Sequence, residues 1–250
     1  MHPERIAALL SPFLGAASLS PTQLEQLSRY LDLLLRWNAR MNLTAIRDAE
    51  QMVARHFGES LFAAVHLYPP GSLPPEASLK SVSSSLVDIG SGAGFPGLPI
   101  GIWAPGLHTT LLESNQRKST FLREVVRCLG LAQVDVLTGR AEALAQNISK
   151  VGPGAGAGAA YETTESGAAA GALPAAELTV TLRAVEHFED ILPVAVKLLH
   201  HFYATSRRLG LLIGEAQVAA AHQLAPAVQW SGAIAIPQSS QRVLLIGNWT

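Results

Sequence analysis

A glycine-rich turn that directly follows a short apolar run is the feature that most constrains this chain. Residues 86–97 have the sequence Leu-Val-Asp-Ile-Gly-Ser-Gly-Ala-Gly-Phe-Pro-Gly, with glycine at every second position after Ile89. Glycine permits a tight turn and lets a ligand approach the main chain closely. A strand, such a turn and a helix together form a nucleotide-type binding crevice at the carboxyl end of the strand. The predicted ligand-binding residues of this segment are Asp88, Gly90, Gly92, Gly94 and Phe95.

Strand-like and helix-like segments alternate from Leu86 onward, and this alternation favours a mostly parallel sheet with helices on both faces. The sequence therefore predicts an α/β fold with a seven-stranded sheet. Predicted strands cover residues 86–89, 109–113, 133–137, 178–182, 209–213 and 242–246, with one more near 233–236. Predicted helices cover about 96–104, 116–129, 141–147, 187–201 and 215–224.

The first part of the chain is predicted to be helical. Ser20-Pro21-Thr22-Gln23 forms a capping box with proline at the first helical position, and the helix that it starts is expected to end near Asn38. A second helix is predicted from Ala49 to His66. The expected organisation is a small helical subdomain at 1–68, a linker at 69–85 and a sheet domain at 86–250, interrupted by a Gly/Ala-rich low-complexity insertion at 151–176.

Composition excludes several classes of protein. The formal net charge is −1 and only 15% of residues are charged, so any nucleic-acid contact must come from local basic patches. One cysteine, Cys128, excludes a disulfide framework within the chain and a cysteine-rich zinc site, and its apolar surroundings predict a core position. The chain shows neither a secretory signal nor a run of about 18 apolar residues. We therefore expect a cytoplasmic protein with no membrane partner and no metal.

A second predicted strand, 109–113, ends in a carboxylate. Glu113 lies 19 residues after Gly94, and an acidic residue about 20 residues after a glycine turn is placed to accept hydrogen bonds from ribose hydroxyls. An ordinary surface glutamate at a strand end is the alternative. A third strand leads to Ala141 and Glu142, where Glu142 also suits the first turn of a helix because of the helix dipole.

Several segments, taken in order along the chain, resemble one family. The Asp-x-Gly-x-Gly pattern is similar to the first motif of class I methyltransferases, and the whole set resembles the RsmG family, also called GidB, of bacterial 16S rRNA guanine-N7 methyltransferases. Arg36–Asp48 resembles the N-terminal signature of that family, and Arg55–Ser60 differs from its usual pattern by having glutamate at position 59. The other matching segments are the glycine turn with Phe95–Pro99, then 112–114, 117–122, 139–142 and 183–184.

This resemblance implies a Rossmann-like class I methyltransferase fold and S-adenosylmethionine as cofactor. The implied reaction is methyl transfer to N7 of a guanosine in the 530 loop of 16S rRNA, with 16S rRNA or the small ribosomal subunit as partner. Ala141 and Glu142 would contact the adenine ring. We expect a monomer. The basic residues that we expect to face RNA are Arg36, Arg40, Arg47, Arg55, Arg117 and Lys118.

Arg183 follows the fourth predicted strand, where many class I enzymes have Asp or Asn. Guanine N7 carries a lone pair and no proton, so its attack needs alignment rather than a general base. Arg183 is therefore the predicted catalytic residue, and it could also hold the methionine carboxylate of the cofactor, an RNA phosphate or the guanine O6 edge. A purely structural ion pair is the alternative for this arginine.

Two positions differ from the family pattern. Ile213 stands where family members often have lysine, and Arg242 is not followed by the usual histidine. Two alternative functions therefore stay open. One is a class I methyltransferase that acts on another substrate, and the other is a non-catalytic module that binds S-adenosylmethionine and associates with RNA or the ribosome.

Overall fold

A computed structural model describes residues 1–73, 83–151, 175–184, 187–201 and 204–249. Most of the predicted linker, 74–82, and most of the predicted insertion, 152–174, lie outside these described residues. The division of the chain at residues 68 and 86 stays a prediction.

The described strands form one mixed sheet whose order is β3-β2-β1-β4-β5-β8-β6, with β7 paired to β8. Strands β1 to β5 are parallel, and β8 runs antiparallel to β5. The mostly parallel sheet is therefore confirmed. The strands are β1 Ser83–Ile89, β2 His108–Glu113, β3 Val134–Thr138, β4 Ala175–Arg183, β5 Ser206–Gly214, β6 Gln229–Trp230, β7 Ile234–Ala235 and β8 Arg242–Trp249.

The described sheet has eight strands, one more than predicted. Two strands of two residues each, β6 and β7, precede β8 and pair with it. The sequence predicted one strand in this region, near 233–236. Segments this short carry too few residues to show an alternating pattern, so their pairing depends on the neighbouring strand.

Helices precede the sheet and then alternate with its strands. They are α1 Pro3–Leu14, α2 Pro21–Met41, α3 Ala49–Met52, α4 Glu59–Leu67, α5 Gly97–Trp103, α6 Gln116–Leu129, α7 Ala141–Val151, α8 Phe188–His201 and α9 Val218–Leu224. The capping box of α2 is present, since the Gln23 N–H donates to Ser20 Oγ at 3.2 Å and the Ser20 N–H donates to Gln23 Oε1 at 2.8 Å. Helix α1 was not predicted.

The second predicted helix is divided by a π-helical segment, Val53–Gly58. Such segments are rare and often occur at functional sites. The widened turn joins α3 to α4 without a loop, and it carries Arg55 and His56 to the end of the sheet where the cavity described below opens.

The helices cover both faces of the sheet, as predicted. On one face, Val87 and Ile89 of β1 share a core with α7 and α8. On the other face, α1, α2 and the π-helical segment share a core with α5 and α6. Trp37 of α2 lies in this second layer, partly buried, with its ring 5.6 Å from that of Phe121. The N-terminal helices therefore form part of one of the two covering layers.

The predicted core position of Cys128 is wrong, because its side chain is exposed on α6. The buried stripe of that helix consists of Phe121, Leu122, Val125 and Leu129. Cys128 lies at the margin of this stripe, one residue before the end of the helix.

Candidate functional site

A cavity of about 670 Å³ opens at the carboxyl ends of β1, β2 and β4. Strand order reverses between β1 and β4, and ligands of open α/β sheets bind outside the strand ends at such a switch point. Seven of the residues predicted from the sequence to bind the cofactor line this cavity, namely Gly90, Gly92, Phe95, Glu113, Ala141, Glu142 and Arg183.

The glycine turn presents its main chain to the cavity. The Gly90 and Ser91 N–H groups donate to the Leu112 carbonyl at 2.8 and 3.1 Å, which ties the turn to β2. Gly92 has a φ of 58°, a conformation that residues with a side chain rarely adopt. Among the described residues, a Cβ at this position would contact only the Gly90 carbonyl oxygen, at 3.8 Å. The backbone at Gly92 is therefore open to a ligand.

Glu113 ends β2 and is almost fully buried at the wall of the cavity. Its Oε2 accepts a hydrogen bond from the Gly92 N–H at 2.8 Å, and its Oε1 accepts one from the Asn115 N–H at 2.7 Å. Each carboxylate oxygen accepts about two hydrogen bonds, so each can accept one more. Glu113 thus shapes the turn and keeps acceptors for hydroxyl groups of a ligand.

Asp88 and Gly94 do not line the cavity but support the turn from behind. Asp88 lies beside Thr181 in the parallel register of β1 and β4. Its carboxylate accepts from the Thr181 hydroxyl at 2.8 Å and from the Gly97 N–H at 3.1 Å. Gly94 has a φ of 96°, which strains any residue with a side chain, and a Cβ there would also press against Leu98 and Tyr30, so this position favours glycine. Direct ligand contact by either residue stays a prediction.

Tyr30 of α2 holds the turn from the helical side. Its hydroxyl donates a hydrogen bond to the Ala93 carbonyl. Its ring stacks on Phe95 at 5.4 Å, and Phe95 in turn stacks on His56 at 4.8 Å. Burial raises the pKa of Tyr30 well above its usual value, so the hydroxyl keeps the proton that it donates. Sequence reasoning missed Tyr30, because it occupies an ordinary apolar position of an amphipathic helix.

A buried carboxylate, Glu59, accepts hydrogen bonds from three arginines, one of which, Arg183, lines the cavity. Glu59 is 1% exposed. Its Oε2 accepts from Arg183 Nη2 at 3.0 Å and from Arg242 Nη1 at 2.7 Å, and its Oε1 accepts from Arg55 Nε at 3.1 Å. These arginines belong to β4, β8 and the π-helical segment. Three guanidiniums against one carboxylate leave this arginine cluster with two net positive charges.

Arg183 both pairs with Glu59 and lines the cavity. The ion pair given as the alternative for Arg183 is therefore present, and its catalytic role stays a prediction. All hydrogen bonds that described residues provide to its guanidinium involve Nη2, and its buried Nε has no partner among them. Burial lowers the pKa of Arg183, and the charge of Glu59 opposes this shift. Nε is therefore a buried donor without a partner among the described residues, while the side chain of Arg183 contributes to the wall of the cavity.

His56 is held neutral in one tautomer. Arg183 Nη2 lies 3.1 Å from His56 Nδ1, and a guanidinium can only donate, so Nδ1 accepts. The ring proton is therefore on Nε2, which donates to Thr44 Oγ1 at 2.7 Å. Burial, followed by the charges of Arg183, Arg242 and Arg55, lowers the pKa of His56 to about 3. This histidine lines the cavity but has no free nitrogen with which to take up a proton.

The residues predicted to face RNA are dispersed. Lys118 lines the cavity, and Arg55 belongs to the arginine cluster. Arg36, Arg40 and Arg117 are exposed outside the cavity. The side chain of Arg47 donates to the Asn38 carbonyl at 2.9 Å and also to Asn42 Oδ1, so it holds the segment after α2.

Within the described part of the chain, no group of three or more His, Cys, Asp or Glu side chains is arranged to hold a metal ion. No described helix is both long and apolar enough to cross a membrane.

The chain is similar to a known methyltransferase family. A family model described as rRNA small subunit methyltransferase G matches residues 23–152. The ribosomal RNA small subunit methyltransferase G of Stenotrophomonas maltophilia strain K279a is 44% identical over 142 residues, which are 57% of this chain and 60% of that protein. The protein of the same name from Roseiflexus sp. strain RS-1 is 46% identical over 129 residues, 52% of this chain and 50% of that protein. The match thus spans 50–60% of the length of these relatives.

Among solved structures, the human methyltransferase 10 domain containing protein superposes with a TM-score of 0.50 at 13% identity, covering 88% of this chain and 95% of that chain. At this identity the likeness concerns the fold. The Rossmann-like class I methyltransferase fold expected from the sequence is confirmed.

The buried Asp88 predicts a pH-dependent stability. Burial is the main cause that raises the pKa of Asp88 to about 6, and hydrogen bonds from Thr181 and Gly97 oppose it. In the unfolded chain the pKa is about 3.9, so between these pH values the folded state holds a proton that the unfolded state has lost. The contribution of Asp88 to the free energy of unfolding therefore falls as the pH rises from about 4 to about 6, and is constant above that.

Comparison with Asp88→Asn isolates this effect from other titrating groups. We expect the difference in unfolding free energy, wild type minus variant, to fall by about 2–3 kcal/mol between pH 4 and pH 7. Urea denaturation at four or more pH values measures it. Parallel stability curves for the two proteins would contradict the assignment.

Proposed function

The chain belongs to the rRNA small subunit methyltransferase G family, and we propose that it transfers the methyl group of S-adenosylmethionine to N7 of a guanosine in the 530 loop of 16S rRNA. The observation that carries this proposal is the cavity at the strand switch point, where the glycine turn, Glu113 and Arg183 meet. The stretch matched by the family model includes the turn, Glu113, Ala141 and Glu142.

The volume of the cavity, about 670 Å³, and the residues that line it suit the proposed cofactor. The main chain at Gly92 would lie against the methionine part, because no side chain of the described residues occupies that space. Glu113 would accept hydrogen bonds from the ribose hydroxyls. Ala141 and Glu142, with Leu112 and Ile191 on the same walls, would contact the adenine ring. Bound there, S-adenosylmethionine supplies a methyl group activated by a positively charged sulfur.

The groups around the cavity suit an acceptor that has no proton to lose. His56 is neutral and both of its ring nitrogens are hydrogen-bonded. Asp88 is buried behind the turn. Guanine N7 offers a lone pair directly, so neither residue has to act as a base. Arg183 lines the cavity and would align the acceptor by donating from its guanidinium to the guanine or to a neighbouring phosphate.

RNA would approach from the side of the arginine cluster. The formal net charge of the chain is −1, so attraction for the phosphate backbone has to be local. The two net positive charges around Glu59 supply it at the cavity itself. The basic residues that would extend the contact are Arg36, Arg40, Arg47, Arg55, Arg117 and Lys118. The protein would act as a monomer, with 16S rRNA or the small ribosomal subunit as its partner.

Glu113→Gln tests the cofactor site. The variant replaces the charged acceptor of the Gly92 N–H and of the proposed ribose contact, so we expect S-adenosylhomocysteine to bind more weakly by about 1–3 kcal/mol. Isothermal calorimetry measures this change. Glu25→Gln, which removes an exposed carboxylate paired with Arg29, is the control and should keep wild-type affinity. Equal affinities for all three proteins would remove Glu113 from the site.

The pH dependence of methyl transfer tests the chemistry. We expect the single-turnover rate on 16S rRNA with labelled S-adenosylmethionine to change less than about threefold between pH 7 and pH 9, because N7 needs no base. Arg183→Gln should lower this rate by about 100-fold, a loss typical of removing one aligning donor. Arg29→Gln, an exposed change on α2, should not affect it.

Mapping of the labelled nucleotide completes this test. Label at a guanosine N7 in the 530 loop is the expected result. A rate that rises tenfold per pH unit would contradict the N7 mechanism. Cofactor binding without any transfer to rRNA or 30S subunits would favour the non-catalytic module.

A further inference from the structure

The described residues enclose a second cavity, of about 430 Å³, at the carboxyl end of β5. It lies on the other side of the arginine cluster from the first cavity. Arg55 and Arg242 line the second cavity, whereas Arg183 lines the first. Ala184, the residue after β4, lines both. The two cavities are therefore neighbours, and the arginines that line them pair with the same carboxylate, that of Glu59.

Arg55 and Arg242 have donors to spare in the second cavity. Each donates one side-chain hydrogen bond to Glu59, from Nε and Nη1 respectively, and none to any other described residue. Their side chains are 43% and 34% exposed. A guanidinium has several N–H donors in a fork that matches the oxygens of a phosphate. Both arginines can therefore bind a further group without releasing Glu59.

The lining of the second cavity selects for an anion. No Asp or Glu is among its described lining residues. The single negative charge of Glu59 is shared by three arginines, so it does not neutralise the two that face this cavity. Gln238, Ser240 and Gln241 also line it and are polar residues without charge. Two arginines and several uncharged polar residues suit an anionic group that has several acceptor oxygens, such as a phosphate that is linked to polar groups.

We propose that the second cavity binds a backbone phosphate of the substrate RNA next to the target guanosine, between Arg55 and Arg242. This proposal rests on the proposed function. An RNA strand that places the target guanine in the first cavity, at Arg183, would run past Ala184, which lines both cavities. The phosphate next to that guanosine would then enter the second cavity. Arg183 Nη2 and Arg242 Nη1 both donate to Oε2 of Glu59. One carboxylate would therefore orient both the arginine that contacts the base and the arginine that contacts the phosphate.

The test compares Arg242→Gln, Arg242→Lys and wild type in binding an RNA hairpin that contains the 530 loop of 16S rRNA. We expect Arg242→Gln to weaken binding about tenfold, as for loss of one charged hydrogen bond. The slope of log affinity against log salt should become shallower by about 0.7, the value for one phosphate of a single strand. Arg242→Lys keeps the charge and should keep the slope. Arg29→Gln, a change at an exposed residue that lines neither cavity, should match wild type in both quantities.

A chemically altered RNA locates the phosphate. Hairpins with a neutral methylphosphonate linkage on the 5′ or the 3′ side of the target guanosine remove one charge at a time. One of the two should weaken wild-type binding about as much as Arg242→Gln does, and should have no further effect on that variant, because the same contact is already lost. Additive effects of both changes would overturn the proposal.

Other outcomes separate this proposal from the function. If the wild type labels the hairpin while Arg242→Gln keeps its affinity and salt slope, the second cavity does not bind RNA phosphate and the proposed function stands. If inorganic phosphate binds the wild type but not Arg242→Gln, while RNA binding is equal, the cavity binds a free anion and the RNA contact is overturned. If the wild type neither binds nor labels the hairpin, the proposed function and this proposal both fail.

Discussion

The arrangement of both cavities depends on one buried charge. Glu59, 1% exposed, accepts hydrogen bonds from three arginines at 2.7–3.1 Å. A buried carboxylate is tolerated only when it is well paired, and removing it would leave uncompensated positive charges. The pairing partners come from the π-helical segment, β4 and β8. Glu59 thus joins the N-terminal helices to the sheet and at the same time orients Arg183 at the proposed site of methyl transfer.

Polar side chains hold the glycine turn from two sides by hydrogen bonds, which apolar side chains could not form. Behind it, Asp88 bridges β4 and the start of α5 through Thr181 and Gly97. From the helical layer, Tyr30 binds the Ala93 carbonyl and stacks on Phe95. A turn held in this way presents its backbone without having to reorganise when a ligand binds, and such preorganisation favours both binding and catalysis.

The sequence alone predicted the parts of the fold and site that depend on local patterns. The capping box of α2, the parallel sheet and the position of Glu113 at the end of β2 all follow from spacing along the chain. The arginine cluster could not be predicted in this way, since Glu59 meets Arg183 across 124 residues and Arg242 across 183. Arg242 drew attention only for the histidine missing after it. Long-range ion pairs of this kind leave no periodicity in a single sequence.

The most direct test of this account is the comparison of Glu59→Gln with Glu59→Asp, in unfolding free energy and in single-turnover methyl transfer to 16S rRNA. Glu59→Gln should lose about 3–5 kcal/mol of stability, because three guanidiniums are left without a counter-charge. Adding Arg242→Gln to it should restore part of this stability. Glu59→Asp keeps the charge, so it should lose less stability and retain more transfer. If Glu59→Gln is as stable and as active as wild type, the buried carboxylate does not organise the site and the account is wrong.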